Sequence, residues 1–244
     1  MVTAAADIVQ LRRLWKLAFG DSDAFLDSFF AAAYSPDRCH FLRREDSIAA
    51  ALYWFDCRYA DRKAAYVYAV ATHQDFRGQG LCRQLMQETH DLLKSRGYDA
   101  VLLVPQDTGL RKMYAAMGYR DATSVSEFSC QAGIPAKLSE VDADTYGILR
   151  IPYLREGDVL QEGENLRFLR TYAKFYAGTD FLAAVSGPEI LELLGNRDAA
   201  PGILGALGFA SGNVRAPGKE VPYAMFLPLA EDVPAPTYFG FAFD

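Results

Sequence analysis

The sequence predicts an α/β fold built around a mixed sheet, and two observations carry the prediction. Tyr66-Val67-Tyr68-Ala69-Val70, a β-rich run, leads through a polar turn into Arg77-Gly78-Gln79-Gly80 and then an amphipathic run opening at Leu81. That is a strand, a glycine turn and a helix start, in order. Residues 98–104 then form a nearly continuous apolar run, as a strand covered on both faces requires.

The remaining elements follow from periodicity and punctuation. Residues 4–19 and 23–34 are expected as helices, since Leu11, Leu14, Trp15 and Ala18 recur at helical spacing. Asp21-Ser22-Asp23 supplies a break and an N-cap, and Ser35-Pro36-Asp37 ends the second helix. Residues 39–43 and 47–57 are expected as strands hinged at Glu45-Asp46-Ser47, with a charged turn, Tyr59 to Lys63, before the central strand 64–72. The helix 81–96 carries Leu81, Leu85 and Leu92 on one face and stops at Arg96-Gly97, a basic last turn and a C′ glycine. Residues 107–117 are helical, with Leu110, Met113, Tyr114 and Met117 at i, i+3, i+4 and i+7, and 119–130 return as one or two strands.

Gly133 and Pro135, within 131–137, mark a boundary, giving a first domain over 1–131 and a second over 138–244. In the second, 139–149 and 164–176 are expected as helices, the latter from the stripe Leu166, Leu169, Ala173 and Tyr176, and 180–185 as a strand. Ile190–Asn196, Ala199–Leu207 and Gly208-Phe209 then repeat the order of Val101–Tyr119: strand, polar turn, short helix, Gly-aromatic. Strands are expected over 222–229 and 238–243, closing a sheet across the two units.

The turn at 77–80 leaves backbone N–H groups aimed outward at a helix start, an arrangement suited to phosphate or pyrophosphate. Gly78 and Gly80 accept positive φ and let a ligand approach the backbone; Arg77 adds a positive charge. Two familiar loops do not fit. A dinucleotide fingerprint needs a third glycine where Arg83 stands, and a P-loop needs a lysine after Gly80. The pattern that fits is Q/R-x-x-G-x-G/A, filled by Arg77, Gly80 and Cys82. With the helix, the strand and Leu110 to Tyr119 following in order, residues 3–130 resemble the GCN5-related N-acetyltransferases (GNAT). Tyr114-x-x-x-Gly118-Tyr119 looks like that family's L-Y-x-x-x-G-F/Y segment. Two residues depart from the pattern: Cys82 replaces a small Gly/Ala, and Asp107 stands where many members carry Asn.

The resemblance implies the GNAT acyl-CoA N-acyltransferase fold, with the second unit a degenerate GNAT-like half that lacks a counterpart of the glycine turn. It implies acetyl-CoA as cosubstrate, no metal, and direct acetyl transfer to a primary amine of a small molecule or peptide. The strands 66–72 and 98–104 would splay. Val70, Ala71 and Thr72 would pair with the pantetheine arm, and the Val70 N–H would point at the thioester oxygen. Arg77, Gly78, Gln79, Gly80, Leu81, Cys82 and Arg83 would hold the pyrophosphate, with Arg83 within reach of the ribose phosphate. Tyr114 would be the general acid, a phenol of ordinary pKa near 10 matched to a thiolate. The base is open among Tyr66, Tyr68, Asp56, Glu127 and the carboxylate at Asp244; Tyr66, Tyr68 and Glu127 are candidates to line the acceptor cleft. The alternative is a non-catalytic acyl-CoA-binding or interaction module, its dimer face made from the apolar residues of 222–243.

Composition bounds these readings. The chain has 244 residues, 51% of them hydrophobic and 13% aromatic, ample for a packed core. The net charge of −6 disfavours a general nucleic-acid binder, which needs a basic face. No apolar run of about 18 residues suggests a membrane span, and the first residues lack the basic and apolar regions of a signal peptide. Cys39, Cys57, Cys82 and Cys130 are scattered, and His40, His73 and His90 have no metal spacing, so reduced thiols and a cytoplasmic location are expected. A monomer or homodimer is expected.

Overall fold

The computed structural model describes residues 5–243. Two helices lead: α1 (Ala5–Phe19) and α2 (Asp23–Ala32). Ser22 caps α2 by accepting from the Phe25 N–H at 3.2 Å, which fixes the break expected at Asp21-Ser22-Asp23. The strands β1 (Cys39–Arg44), β2 (Ser47–Tyr59) and β3 (Arg62–Thr72) form an antiparallel meander. Helix α3 (Leu81–Ser95) crosses over to β4 (Ala100–Leu103), which runs parallel to β3. Helix α4 (Thr108–Ala115) and the short β5 (Arg120–Asp121) follow.

The chain then leaves the first sheet. Strand β6 (Ser124–Gln131) belongs to the second, with β7 (Ser139–Val141), helix α5 (Ala143–Arg150), the short β8 (Leu160–Gln161) that returns to pair with β2, and helix α6 (Glu164–Leu169). Next come β9 (Lys174–Ala177), β10 (Phe181–Ser186), β11 (Glu189–Gly195), helix α7 (Ala200–Leu207), β12 (Ser211–Pro217), β13 (Val221–Pro222) and β14 (Met225–Pro228). Both sheets have seven strands. The first is ordered β1-β2-β3-β4-β14-β5 with β8 on β2, and the second β13-β6-β12-β11-β10-β9-β7. Each sheet repeats one scheme: a three-strand antiparallel meander, a helical crossover to a parallel strand, and an antiparallel neighbour supplied from the other half of the chain. The division between the sheets therefore does not fall at 131–137; β6 already lies in the second sheet, and β14 returns to the first.

Four expectations for the second unit are corrected. Residues 164–176 are not one helix: the chain turns at Arg170-Thr171-Tyr172, and 174–177 extend as β9 because β7 and β10 offer unpaired edges on both sides. Residues 139–141 are likewise a strand, not the first turn of a helix. The parallel drawn between 190–209 and 101–119 also fails. β11-α7-β12 is a crossover between parallel strands, so its counterpart in the first sheet is β3-α3-β4. Residues 238–243 form no regular strand, only a bridge from Tyr238 to Asp158.

The largest core lies where the two halves meet. It joins Trp15 and Phe29 of the leading helices, Phe55 and Tyr66 of the first sheet, and Phe168, Phe239 and Phe243 from later in the chain. A second core fills the face of the first sheet under α3 and α4, and a third packs α7 onto the second sheet. The apolar residues of 222–243 are spent here: Met225, Phe226, Phe239, Phe241 and Phe243 are buried, so they present no outer dimer face. Among the described residues no helix is long and apolar enough to cross a membrane.

Candidate functional site

The site begins with a fault in the central strand. Tyr53 faces Tyr68 across β2 and β3, but Ala51 faces Ala71, so Ala69 and Val70 together oppose only Leu52. This is a β-bulge, with Ala69 in the left-handed region at φ +49°; a bulge turns the strand and re-aims its polar groups. On the other side of β3, pairing to β4 covers only Ala64 to Tyr66 and stops at Leu102. Beyond that point the two strands diverge, as the resemblance implied for 66–72 and 98–104.

The divergence opens a cleft of about 450 Å³ whose lining includes Tyr66, Tyr68, Val70, Tyr114, Leu103 and Phe243. Val70 and Tyr114, the two residues expected to act on the reacting centre, thus share one cavity. Tyr114 is 6% exposed, and among the described residues its hydroxyl has no hydrogen-bond partner. Burial pushes its phenol well above the usual range, with Cys82 adding to the effect, so the proton stays on the oxygen at neutral pH.

A smaller groove of about 240 Å³ lies at the glycine turn, lined by Thr72, Arg77, Gly78, Gly80, Cys82 and Arg83 among others. Gly78 and Gly80 sit at φ +76° and +77°, where a Cβ costs roughly 1–2 kcal/mol. A Cβ at either would meet nothing within 4 Å, so backbone conformation, not crowding, demands glycine there. Helix α3 starts without a side-chain cap, and its first internal bond runs from the Gln84 N–H to the Gly80 carbonyl. The N–H groups of Leu81, Cys82 and Arg83 are thereby left without helical partners at the positive end of the dipole. Arg77 is held against the turn by donating to the Thr72 carbonyl at 3.2 Å. Gln79 donates to the Asp75 carbonyl at 3.4 Å. Arg83 donates to the Ala116 carbonyl at 3.2 Å, tying α3 to the end of α4. Burial raises the Cys82 thiol, which keeps it uncharged beside this anion-ready turn. His73 is a turn residue: its Nδ1 accepts from the Asp75 N–H at 3.4 Å.

Two candidates for the base are elsewhere. Glu127 lies on β6 in the second sheet, bonded to Arg215 at 3.0 Å, and lines a different groove with Glu189 and Asn213. Its expectation as a cleft residue assumed that 119–130 stays in the first sheet. Asp56 is taken by the Tyr98 hydroxyl and by Arg38 at 3.7 Å and is absent from the cleft lining. Asp107 serves as the N-cap of α4, accepting from the Leu110 N–H at 2.7 Å. Asp244 lies outside the described residues.

Trp15, Asp21, Phe25 and Phe243 are among the cleft residues not anticipated as site residues. Trp15 reads as an ordinary core position of an amphipathic helix, and Asp21 as part of a helix break. Phe243 arrives through the tail. Its N–H donates to the Tyr66 hydroxyl at 3.4 Å and its carbonyl accepts from the Tyr68 hydroxyl at 2.6 Å. Tyr66 and Tyr68 line this cleft, and each is bonded to the tail.

A family model described as an acetyltransferase (GNAT) domain matches residues 2–122. No curated protein matches the chain. Among solved structures, a GCN5-related N-acetyltransferase from Kribbella flavida is 16% identical, with a TM-score of 0.68 over 92% of this chain and 69% of its own. Another from Anabaena variabilis is 14% identical, with a TM-score of 0.68 over 93% and 72%. A tandem GNAT protein from the clavulanic acid biosynthesis pathway is 12% identical, with a TM-score of 0.55 over 96% and 98%. At such identities the likeness is one of fold.

Proposed function

This chain belongs to the GNAT acetyltransferase family through residues 2–122, and from that premise we propose that it transfers the acetyl group of acetyl-CoA directly to a primary amine. The observation that carries the reading is the shared cleft of Val70 and Tyr114, opened by the bulge and by the divergence of β3 from β4. The groove at Arg77 to Arg83 fits the anionic end of the cosubstrate, because its open helix start offers N–H donors and no side chain stands at Gly78 or Gly80.

Acetyl-CoA supplies an activated thioester; the chain supplies position, an oxyanion donor and a proton. The extended backbone at Val70 to Thr72 aligns the thioester arm. As the amine nitrogen bonds to the acyl carbon and the carbon–sulfur bond breaks, the Val70 N–H faces the oxygen that gains negative charge. One such donor contributes about 2.7–4 kcal/mol in other enzymes. Tyr114 gives its proton to the departing sulfur, and the proton lost by the amine leaves through water. The products are an amide and the free thiol.

We also read the second half as a degenerate GNAT-like unit, supported by the repeated strand scheme of the two sheets. Its crossover lacks the glycine turn: Asn196-Arg197-Asp198 stands before α7, and Pro201 occupies the start of that helix. It contributes strand β14 and the tail to the first half.

Calorimetric titration of acetyl-CoA tests the cosubstrate site, with Arg77→Ala/Gly80→Asp as control. Micromolar binding abolished in the control is expected, followed by acetylation from an amine panel. Binding without turnover would select the non-catalytic acyl-CoA-binding module, and no binding would sink both readings.

A further inference from the structure

We propose that the acceptor is an amine with an aromatic or similarly flat apolar body, its ammonium held by Asp21; this assignment rests on the acetyltransferase reading. The acceptor end of the cleft is walled by rings, Trp15, Phe19, Phe25, Tyr66, Tyr68 and Phe243. Asp21 is the sole carboxylate among the described residues lining it, and no Lys, Arg or His lines it.

Asp21 is half-buried, and its Oδ2 accepts from the Trp15 Nε1–H at 2.7 Å. That bond orients the carboxylate along the edge of the tryptophan and leaves the other oxygen open. Two cations of α1 are already engaged: Lys16 pairs with Asp23 at 2.9 Å and Arg12 with Asp27 at 2.6 Å. Among the described residues no cation pairs with Asp21. An uncompensated carboxylate in a partly desolvated aromatic pocket attracts a cation in two ways, through its own charge and through the ring faces. The same walls offer no second carboxylate, so the further ammonium groups of a polyamine would lose hydration without a counter-charge. An anionic acceptor would meet Asp21 with no opposing charge. The rings select a flat apolar body, and Asp21 selects the charge and holds the nitrogen at the cleft.

The chain has two tryptophans, Trp15 and Trp54, so Trp54→Phe leaves Trp15 as the reporter of this cleft. Titration of that protein with 2-phenylethylamine should change Trp15 fluorescence with an affinity at least about tenfold above that for 2-phenylethanol, 3-phenylpropionate or spermidine. Asp21→Asn keeps an acceptor oxygen for Trp15 and should remove the preference of amine over alcohol. Equal binding of amine and alcohol, tighter binding of spermidine, or an unchanged preference in Asp21→Asn would overturn the assignment. The amine-against-alcohol comparison in unsubstituted protein, by calorimetry, decides the point even if the Asn variant does not fold. Acetyl-CoA binding is measured on the same protein. If it binds while 2-phenylethylamine shows no preference, the acceptor class is wrong and acetyl transfer stands. If the amine preference holds without acetyl-CoA binding, the cleft chemistry stands and acetyl transfer fails.

Discussion

The Tyr68 hydroxyl donates to the Phe243 carbonyl at 2.6 Å across a separation of 175 residues, so the central strand of the first sheet and the tail of the chain meet inside one cleft. The Phe243 ring packs on Phe55 at 4.6 Å and on Phe168 at 5.4 Å between centroids, and is 1% exposed. Phe243→Ala should therefore destabilise the protein by about 3–5 kcal/mol, as loss of a buried phenyl ring does elsewhere. It should also weaken acceptor binding while leaving acetyl-CoA affinity intact, since the glycine turn is built from other residues. A urea titration and separate Kd measurements for the two ligands check this.

A buried ion pair holds the tail. Arg150 and Glu192, 2% and 0% exposed at their side chains, meet at 2.8 Å, and the hydroxyls of Tyr146 and Tyr238 donate to the same carboxylate at 2.9 and 2.8 Å. Gln161 then clamps Phe241 through both its N–H and its carbonyl. Removing one partner strands the other: Arg150→Met should cost about 3–5 kcal/mol. Gly240→Ala should act on the same clamp, because a Cβ there collides with Glu192 and Arg150. Both variants should loosen Phe243 and so lower acceptor affinity, measured beside a denaturant melt.

The first half was legible in the sequence where local rules decide. The glycine turn, the helix after it and the Tyr114–Tyr119 segment all depend on residues within a few positions of one another. The exchange of β6 and β14 was not legible, since the partners of Ser124–Gln131 and Met225–Pro228 are chosen by tertiary packing. The same choice moved Glu127 out of the cleft. Residues 173 and 176 lie at a spacing that suits a helix, and only the edges of β7 and β10 make that segment extended. Phe243 and Asp21 enter the site across long sequence separations, which no pattern of neighbours records.

His90 gives a pH prediction. Its Nε2 lies 2.8 Å from the Tyr119 hydroxyl, and burial lowers its pKa to about 4 from an ordinary value near 6.5. The unfolded chain thus binds a proton between these values while the folded chain does not. Stability from this group is full above about pH 6.5 and is lost as pH falls toward about 4. His90→Gln should flatten that part of the curve of unfolding free energy against pH, measured by denaturant titration between about pH 7 and 4.

Tyr114→Phe separates chemistry from packing. The hydroxyl has no hydrogen-bond partner among the described residues, so its removal should cost little stability and leave the ring against Tyr119, at 5.8 Å. If the hydroxyl supplies the proton to the departing sulfur, kcat should fall by about a hundredfold or more, with acetyl-CoA affinity unchanged. Burial raises this phenol above its ordinary value near 10, so the acid form persists through neutral and mildly alkaline pH. Tyr114 should therefore impose no alkaline loss of kcat below about pH 10, and any decline there belongs to another group. A kcat equal to that of the unsubstituted protein would reduce Tyr114 to a core aromatic and assign the leaving proton to water. Measuring kcat, acetyl-CoA Kd and unfolding free energy on the same preparation distinguishes these cases, because a merely structural role would move the last quantity and not the first.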